Sequence, residues 1–152
     1  MFDTISGPRA VDGTSAALSE AQRFRQRGEF ASAAECLARA IACSPLDSVY
    51  HLELAVVFLS DHKPVSAVQE FKRARALGPD DPNCALGAGL AYADMGDHRQ
   101  AIAELEAARA SFPESVRLLT ALGRCYRLQN DRQKALECLQ TALQVNPQAT
   151  SA

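Results

Sequence analysis

The sequence predicts an all-α protein of four consecutive helix–turn–helix hairpins, eight helices over roughly residues 14–146. Two observations predict it. Pro45, Pro79, Pro113 and Pro147 recur at a constant step of 34 residues. Between them, small and large apolar residues keep the same step, in spacings of three and four that put them on one stripe of a helix. A period of this length marks stacked supersecondary units.

In chain order, residues 1–13 carry no helical period and, with Gly7, Pro8 and Gly13, read as a flexible tail. Four units follow, at 14–47, 48–81, 82–115 and 116–147, and residues 148–152 form a C-terminal tail. The first helix of each unit carries a small residue (Ala21, Ala55, Gly89, Gly123) and, three residues later, an aromatic one (Phe24, Phe58, Tyr92, Tyr126). A small residue lets a second helix approach closely, and a large one a turn away fills the remaining gap. At the next turn stand Gly28, Gly96 and Asn130, types that tolerate the left-handed backbone ending a helix. His62 holds that place in the second unit and fits it poorly. Pro64 suits the first turn of the helix after it.

Each second helix repeats Ala33, Ala67, Ala101 and Ala135, then Leu37, Phe71, Leu105 and Leu139, then Ala40, Ala74, Ala108 and Ala142. Between units, Asp47, Asp81 and Ser115 are N-caps for the next first helix, with Pro82 in the favoured position after Asp81. The last helix, about Asp131 to Val145, leaves Leu136, Leu139 and Leu143 partly uncovered, because no capping element follows it. These leucines are the candidate self-association surface.

Composition excludes several classes of function. A chain of 152 residues has the size of one compact unit. A net charge of −2 lacks the basic excess of a nucleic-acid binder. No apolar run approaches the roughly 20 residues that span a bilayer. The N-terminus has neither the basic nor the apolar region of a signal peptide, so the expected compartment is cytoplasmic. Cys36, Cys43, Cys84, Cys125 and Cys138 show no C-x-x-C or Cys/His cluster, so no metal or disulfide framework is expected. His51, His62 and His98 read as solvated or capping residues, and Glu104 and Glu106 as a solvated face. Gly87-Ala-Gly89 lacks the strand and third glycine of a dinucleotide site. No catalytic constellation stands out, and no enzyme activity or cofactor is expected.

The registers resemble the tetratricopeptide repeat (TPR) family, whose 34-residue unit carries small residues, an aromatic and a terminal proline at these offsets. The resemblance covers close to nine-tenths of the chain, with four units in register and no insertion. It implies a TPR superhelix, an α-solenoid. One departure is the start of the unit: Ala17, His51, Ala85 and Leu119 stand where the family often has Trp.

The resemblance also implies a site, since first helices of the family line a concave groove that holds ligands. Projecting those helices gives Leu18, Gln22 and Arg25 in the first unit and Leu52, Val56 and Leu59 in the second. The third gives Leu86, Leu90 and Ala93, and the fourth Arg117, Thr120, Arg124 and Arg127. The apolar members are either inter-helix core or surplus apolar surface that marks an interaction site. The three arginines, with no acid on their face, would be relieved by a partner carboxylate.

The expected partner is therefore a protein or peptide segment, apolar with some acidic character, and the expected role a non-enzymatic adaptor or scaffold. Carboxylate-clamp members use Lys, Asn, Asn, Lys and Arg, where this chain has Leu18, Gln22, Glu53, Asn83 and Gly87; that ligand class is not expected. Two alternatives stay open. One is a holdase, similar in size, repeat content and groove polarity to the small TPR chaperones of type III secretion. The other is an assembly subunit joined through its C-terminal helix.

Overall fold

The computed structural model describes residues 8–148, and the expectations for 1–7 and 149–152 lie outside them. The described chain folds into eight helices: α1 (Pro8–Gln26), α2 (Phe30–Cys43), α3 (Ser48–Ser60), α4 (Pro64–Leu77), α5 (Pro82–Asp94), α6 (His98–Ser111), α7 (Val116–Leu128) and α8 (Arg132–Val145). No strand occurs among the described residues. α1 departs from expectation by taking in residues 8–13, assigned above to the tail. Pro8 suits a first helical position, where no N–H is needed, and Gly13 weakens a helix by about 1 kcal/mol without ending it.

The chain was expected as one compact unit and divides into two, one ending at Gly78 and the other starting at Pro79. In the first unit α1 pairs with α2 and α3 with α4, while α2 packs on α3 and α1 touches α3. Its core gathers Ala21, Leu37, Tyr50, Leu54 and Val57. The second unit repeats this scheme with α5 to α8 around Leu86, Leu105, Leu118 and Leu122. Gly89 shows why its register is small: a Cβ there would lie 2.7 Å from Cγ of Leu105. Gly123 meets Leu139 in the same way, at 3.0 Å.

All four hairpin turns share one geometry. Gly28, His62, Gly96 and Asn130 have φ of 77, 57, 79 and 68°. The residue after each donates its N–H to the carbonyl of the aromatic register: Glu29 to Phe24 at 2.9 Å, Lys63 to Phe58 at 2.8 Å, Asp97 to Tyr92 and Asp131 to Tyr126 at 2.9 Å. This is the Schellman closure of a helix C-terminus. His62 adopts it despite its side chain, because the surrounding pattern outweighs a cost of about 1–2 kcal/mol for a left-handed L-residue. Glycine loses about 0.5–1 kcal/mol more backbone entropy on folding. His62→Gly should therefore raise stability by roughly 0.5–1 kcal/mol, read as a higher denaturant midpoint; a lower midpoint contradicts this account of the turn.

The caps are partly as expected. Asp47 accepts from the Val49 N–H at 3.0 Å and Asp81 from the Asn83 N–H at 2.8 Å. Ser115 occupies the cap position of α7, but its side chain makes no capping bond. Two further caps stand on second helices: Asp97 accepts from Gln100 N–H at 3.1 Å and Asp131 from Lys134 N–H at 3.2 Å.

His51 overturns the expectation of a solvated histidine. It is 6% exposed, and its Nδ1 lies 2.7 Å from Oε2 of Glu70, which is itself 6% exposed. The other carboxylate oxygen of Glu70 accepts from Arg73, whose side chain reaches solvent. A buried carboxylate is tolerated only when its lone pairs find such partners.

Candidate functional site

The first helices carry the candidate residues, and in the second unit two of them lie side by side. α5 contacts α7, and Nη1 of Arg117 donates to Oδ1 of Asn83 at 3.2 Å. These two residues are one repeat apart, so equivalent positions of α5 and α7 are neighbours. Asn83, Leu90 and Ala93 on one helix therefore run beside Arg117, Thr120, Arg124 and Arg127 on the other.

Leu86 does not join that face. It is 8% exposed and belongs to the core cluster, which corrects its assignment as a ligand contact. Its spacing is that of Leu90, but Leu86 is turned into the packing of α5 against α6 and α7. Leu90 and Ala93 are half-buried against the same cluster and keep part of their surface open. Arg117, Thr120, Arg124 and Arg127 are exposed. The Thr120 hydroxyl donates to the Val116 carbonyl of its own helix at 2.8 Å. α7 contains three arginines and no acid, and α5 contributes only Asp94 at its end. Among the described residues neither Arg124 nor Arg127 has a carboxylate partner in an ion pair.

The first unit presents a different face. Leu52, Val56 and Leu59 of α3 are half-buried. On α1, Leu18 packs against the core, Gln22 is exposed, and Arg25 is half-buried. The Nε of Arg25 is shielded from solvent without a hydrogen-bond partner. Leu18, Leu52, Val56 and Leu59 make this set mostly apolar, with Gln22 and Arg25 its polar members.

A polar cleft of about 180 Å³ lies elsewhere, among α6, α7 and α8, lined by Glu106, Arg109, Tyr126, Lys134, Glu137 and Cys138. The Tyr126 hydroxyl donates to Oε1 of Glu106 at 2.8 Å, and Nη1 of Arg109 approaches the same oxygen at 3.5 Å. The Lys134 ammonium stands 5.5 Å from the Tyr126 ring centroid. Burial, then the bond to Glu106, pushes the Tyr126 hydroxyl well above the ordinary phenol range. Burial also raises the thiols of Cys36, Cys125 and Cys138. A thiol held protonated is a poor nucleophile and a poor metal ligand. Glu106 is thus a partner of Tyr126 rather than a merely solvated carboxylate. The available signal was the register itself, where Phe24 and Phe58 give way to Tyr92 and Tyr126, and a half-buried hydroxyl needs an acceptor.

No group of three or more metal-ligating side chains occurs among the described residues. No helix there is long and apolar enough to cross a membrane.

The registers, the turns and the paired first helices match a known pattern. The family model described as Tetratricopeptide repeat matches residues 18–82 and 86–152. The chain belongs to the tetratricopeptide repeat family. Proteins of this family generally act through protein–protein interaction. Several solved TPR structures share the fold. MamA from Desulfovibrio magneticus RS-1 is 21% identical, with a TM-score of 0.77 over 93% of this chain and 78% of that one. PilF of Pseudomonas aeruginosa is 23% identical, with a TM-score of 0.80 over 91% of this chain and 63% of that one. YrrB, described as a TPR protein with an unusual peptide-binding site, is 20% identical, with a TM-score of 0.73 over 85% of this chain and 66% of that one. No curated protein matches the sequence. In TPR terms, the face on α5 and α7 is built from the first helices of the third and fourth repeats, and the polar cleft involves both of their second helices.

Proposed function

We propose that this TPR protein is a non-enzymatic adaptor that holds a segment of a partner protein against its first-helix faces. The segment is apolar with acidic side chains. The observation that carries the reading is the face on α5 and α7, where half-buried Leu90 and Ala93 run beside exposed, acid-free Arg117, Arg124 and Arg127. Guanidiniums without an acidic partner fit carboxylates through paired N–H donors. The apolar residues beside them supply the non-directional part of binding. The Leu52, Val56 and Leu59 face of the first unit supports a partner that also carries apolar side chains. A peptide-binding site in YrrB supports the same class of ligand by analogy of fold.

Selection from a random peptide library against the intact chain tests this. The selected peptides should be enriched in Asp and Glu among Leu, Ile or Phe. Leu90→Glu should weaken a selected peptide about tenfold or more, since a buried leucine side chain contributes about 1.5–3 kcal/mol, with helical content unchanged. Arg124→Glu should weaken it with an effect that shrinks as salt rises. Selected peptides without acidic enrichment, or bound equally by Arg124→Glu, overturn the reading.

A further inference from the structure

Three registers of the first helices stay open in every repeat. Asn83 and Arg117 share one with Ser15 and Val49, and all four are exposed. Leu90 and Arg124 share the next with Gln22 and Val56, each exposed or half-buried. Asp94 and Leu128 share the third with Gln26 and Ser60, again exposed or half-buried. The openness of these positions on α5 and α7 is therefore a property of the register. Because Asn83 and Arg117 are bonded neighbours, the three registers follow one another as paired steps from the starts of α5 and α7 to their ends.

Charge changes sign along these steps. Arg117 and Arg124 stand at the first and second, and Asp94, the one acid on either helix, stands at the third. A helix rises about 1.5 Å per residue, which puts the step of Asp94 about 16 Å beyond Arg117 and about 6 Å beyond Arg124. Among the described residues Asp94 has no ion-pair partner. Beside it Leu128 is 57% exposed.

Helix stability explains neither end charge. A helix dipole disfavours a cation in the first turn and an anion in the last. Arg117 is nevertheless the second residue of α7, and Asp94 the last of α5. Charges set against the local rule are expected where function, not folding, selects the residue. A lysine or arginine fits the Asp94 step, since its methylene stem can cover Leu128 while its charged head reaches the carboxylate.

We infer, resting on the adaptor role proposed for this face, that the bound segment carries a basic residue as well as acidic ones, in fixed order. Acids lie against Arg117 and Arg124, an apolar side chain lies on Leu90, and the base lies against Asp94 and Leu128. In an extended segment, at about 3.3 Å per residue, the base falls about two residues from the acid at Arg124 or five from the acid at Arg117.

A charge exchange at Asp94 tests this, with peptides selected from a random library on the intact chain. Asp94→Lys removes an unfavourable helix-end charge, so helical circular dichroism should be unchanged. The selected peptides should carry Lys or Arg at a constant spacing from an acid. Replacing that base by Glu should weaken binding to the wild type and restore it on Asp94→Lys, with a coupling of about tenfold or more over the four combinations. Peptides that lose affinity on Arg124→Glu but show no coupling to Asp94 overturn this inference and leave the acid-binding role standing. Selected peptides without a basic residue do the same. Peptides indifferent to Arg124→Glu overturn both.

Discussion

Leu105→Ala is expected to destabilise the protein by about 2–5 kcal/mol, the range for emptying a fully buried leucine site. Leu105 is 0% exposed and lies directly over Gly89. Its loss removes both the apolar contact and the atoms that fill the gap between α5 and α6. The companion substitution makes the test sharper. Gly89→Ala puts a methyl group 2.7 Å from Leu105 Cγ, and a fully enclosed leucine cannot withdraw. Overpacking of this kind costs about 1–3 kcal/mol, which outweighs the roughly 1 kcal/mol that alanine gains over glycine in a helix. With Leu105 already alanine, the obstacle is gone. Gly89→Ala should then stabilise by about 1 kcal/mol. A double-mutant cycle by denaturant unfolding reads this change of sign; additive effects would contradict the close approach of α5 and α6.

The second large effect concerns the buried pair of α3 and α4. Glu70→Cys should cost about 1–3 kcal/mol, because it leaves the ring nitrogen of His51 buried without its hydrogen-bond partner. The fourth repeat shows how to repair this. Leu119 and Cys138 hold the positions equivalent to His51 and Glu70, and both are buried. Replacing both partners of a buried hydrogen bond by apolar groups of the same shape can be nearly neutral or stabilising. His51→Leu combined with Glu70→Cys should accordingly recover most of what Glu70→Cys loses. Thermal unfolding of the two single variants and the double variant measures it. A double variant as unstable as Glu70→Cys alone would mean that the pair holds α3 and α4 together by more than mutual satisfaction.

The parts of the fold that repeat were legible in the sequence, because each repetition restates the same local requirement. The turn at His62 is the clearest instance. Its residue type argued against a left-handed backbone, but its place in the register argued for one, and the register prevailed. His51 was misread for the opposite reason. Its burial depends on Glu70, 19 residues away on another helix, in a row that otherwise reads Cys36, Glu104 and Cys138 and so states no common rule. Leu86 and Leu90 mark the limit for the site. Both follow helical spacing on α5, and only the packing of α6 and α7 decides that the first is core. The extra turns of α1 before Thr14 were hidden because Pro8 and Gly13 signal loops as readily as the start of a helix.

The proposed function is tested most directly by charge exchange between protein and ligand. A selected peptide with one essential acidic residue is titrated against the wild type and against Arg124→Glu, and the measurement is repeated with that acid replaced by Lys. The account predicts that the acidic peptide loses affinity for Arg124→Glu, that the Lys peptide loses affinity for the wild type, and that the Lys peptide regains it on Arg124→Glu. Both losses and the recovery should fade together as salt is raised. Equal binding of the acidic peptide by both proteins would contradict the account, because the segment would then lie away from the arginines of α7.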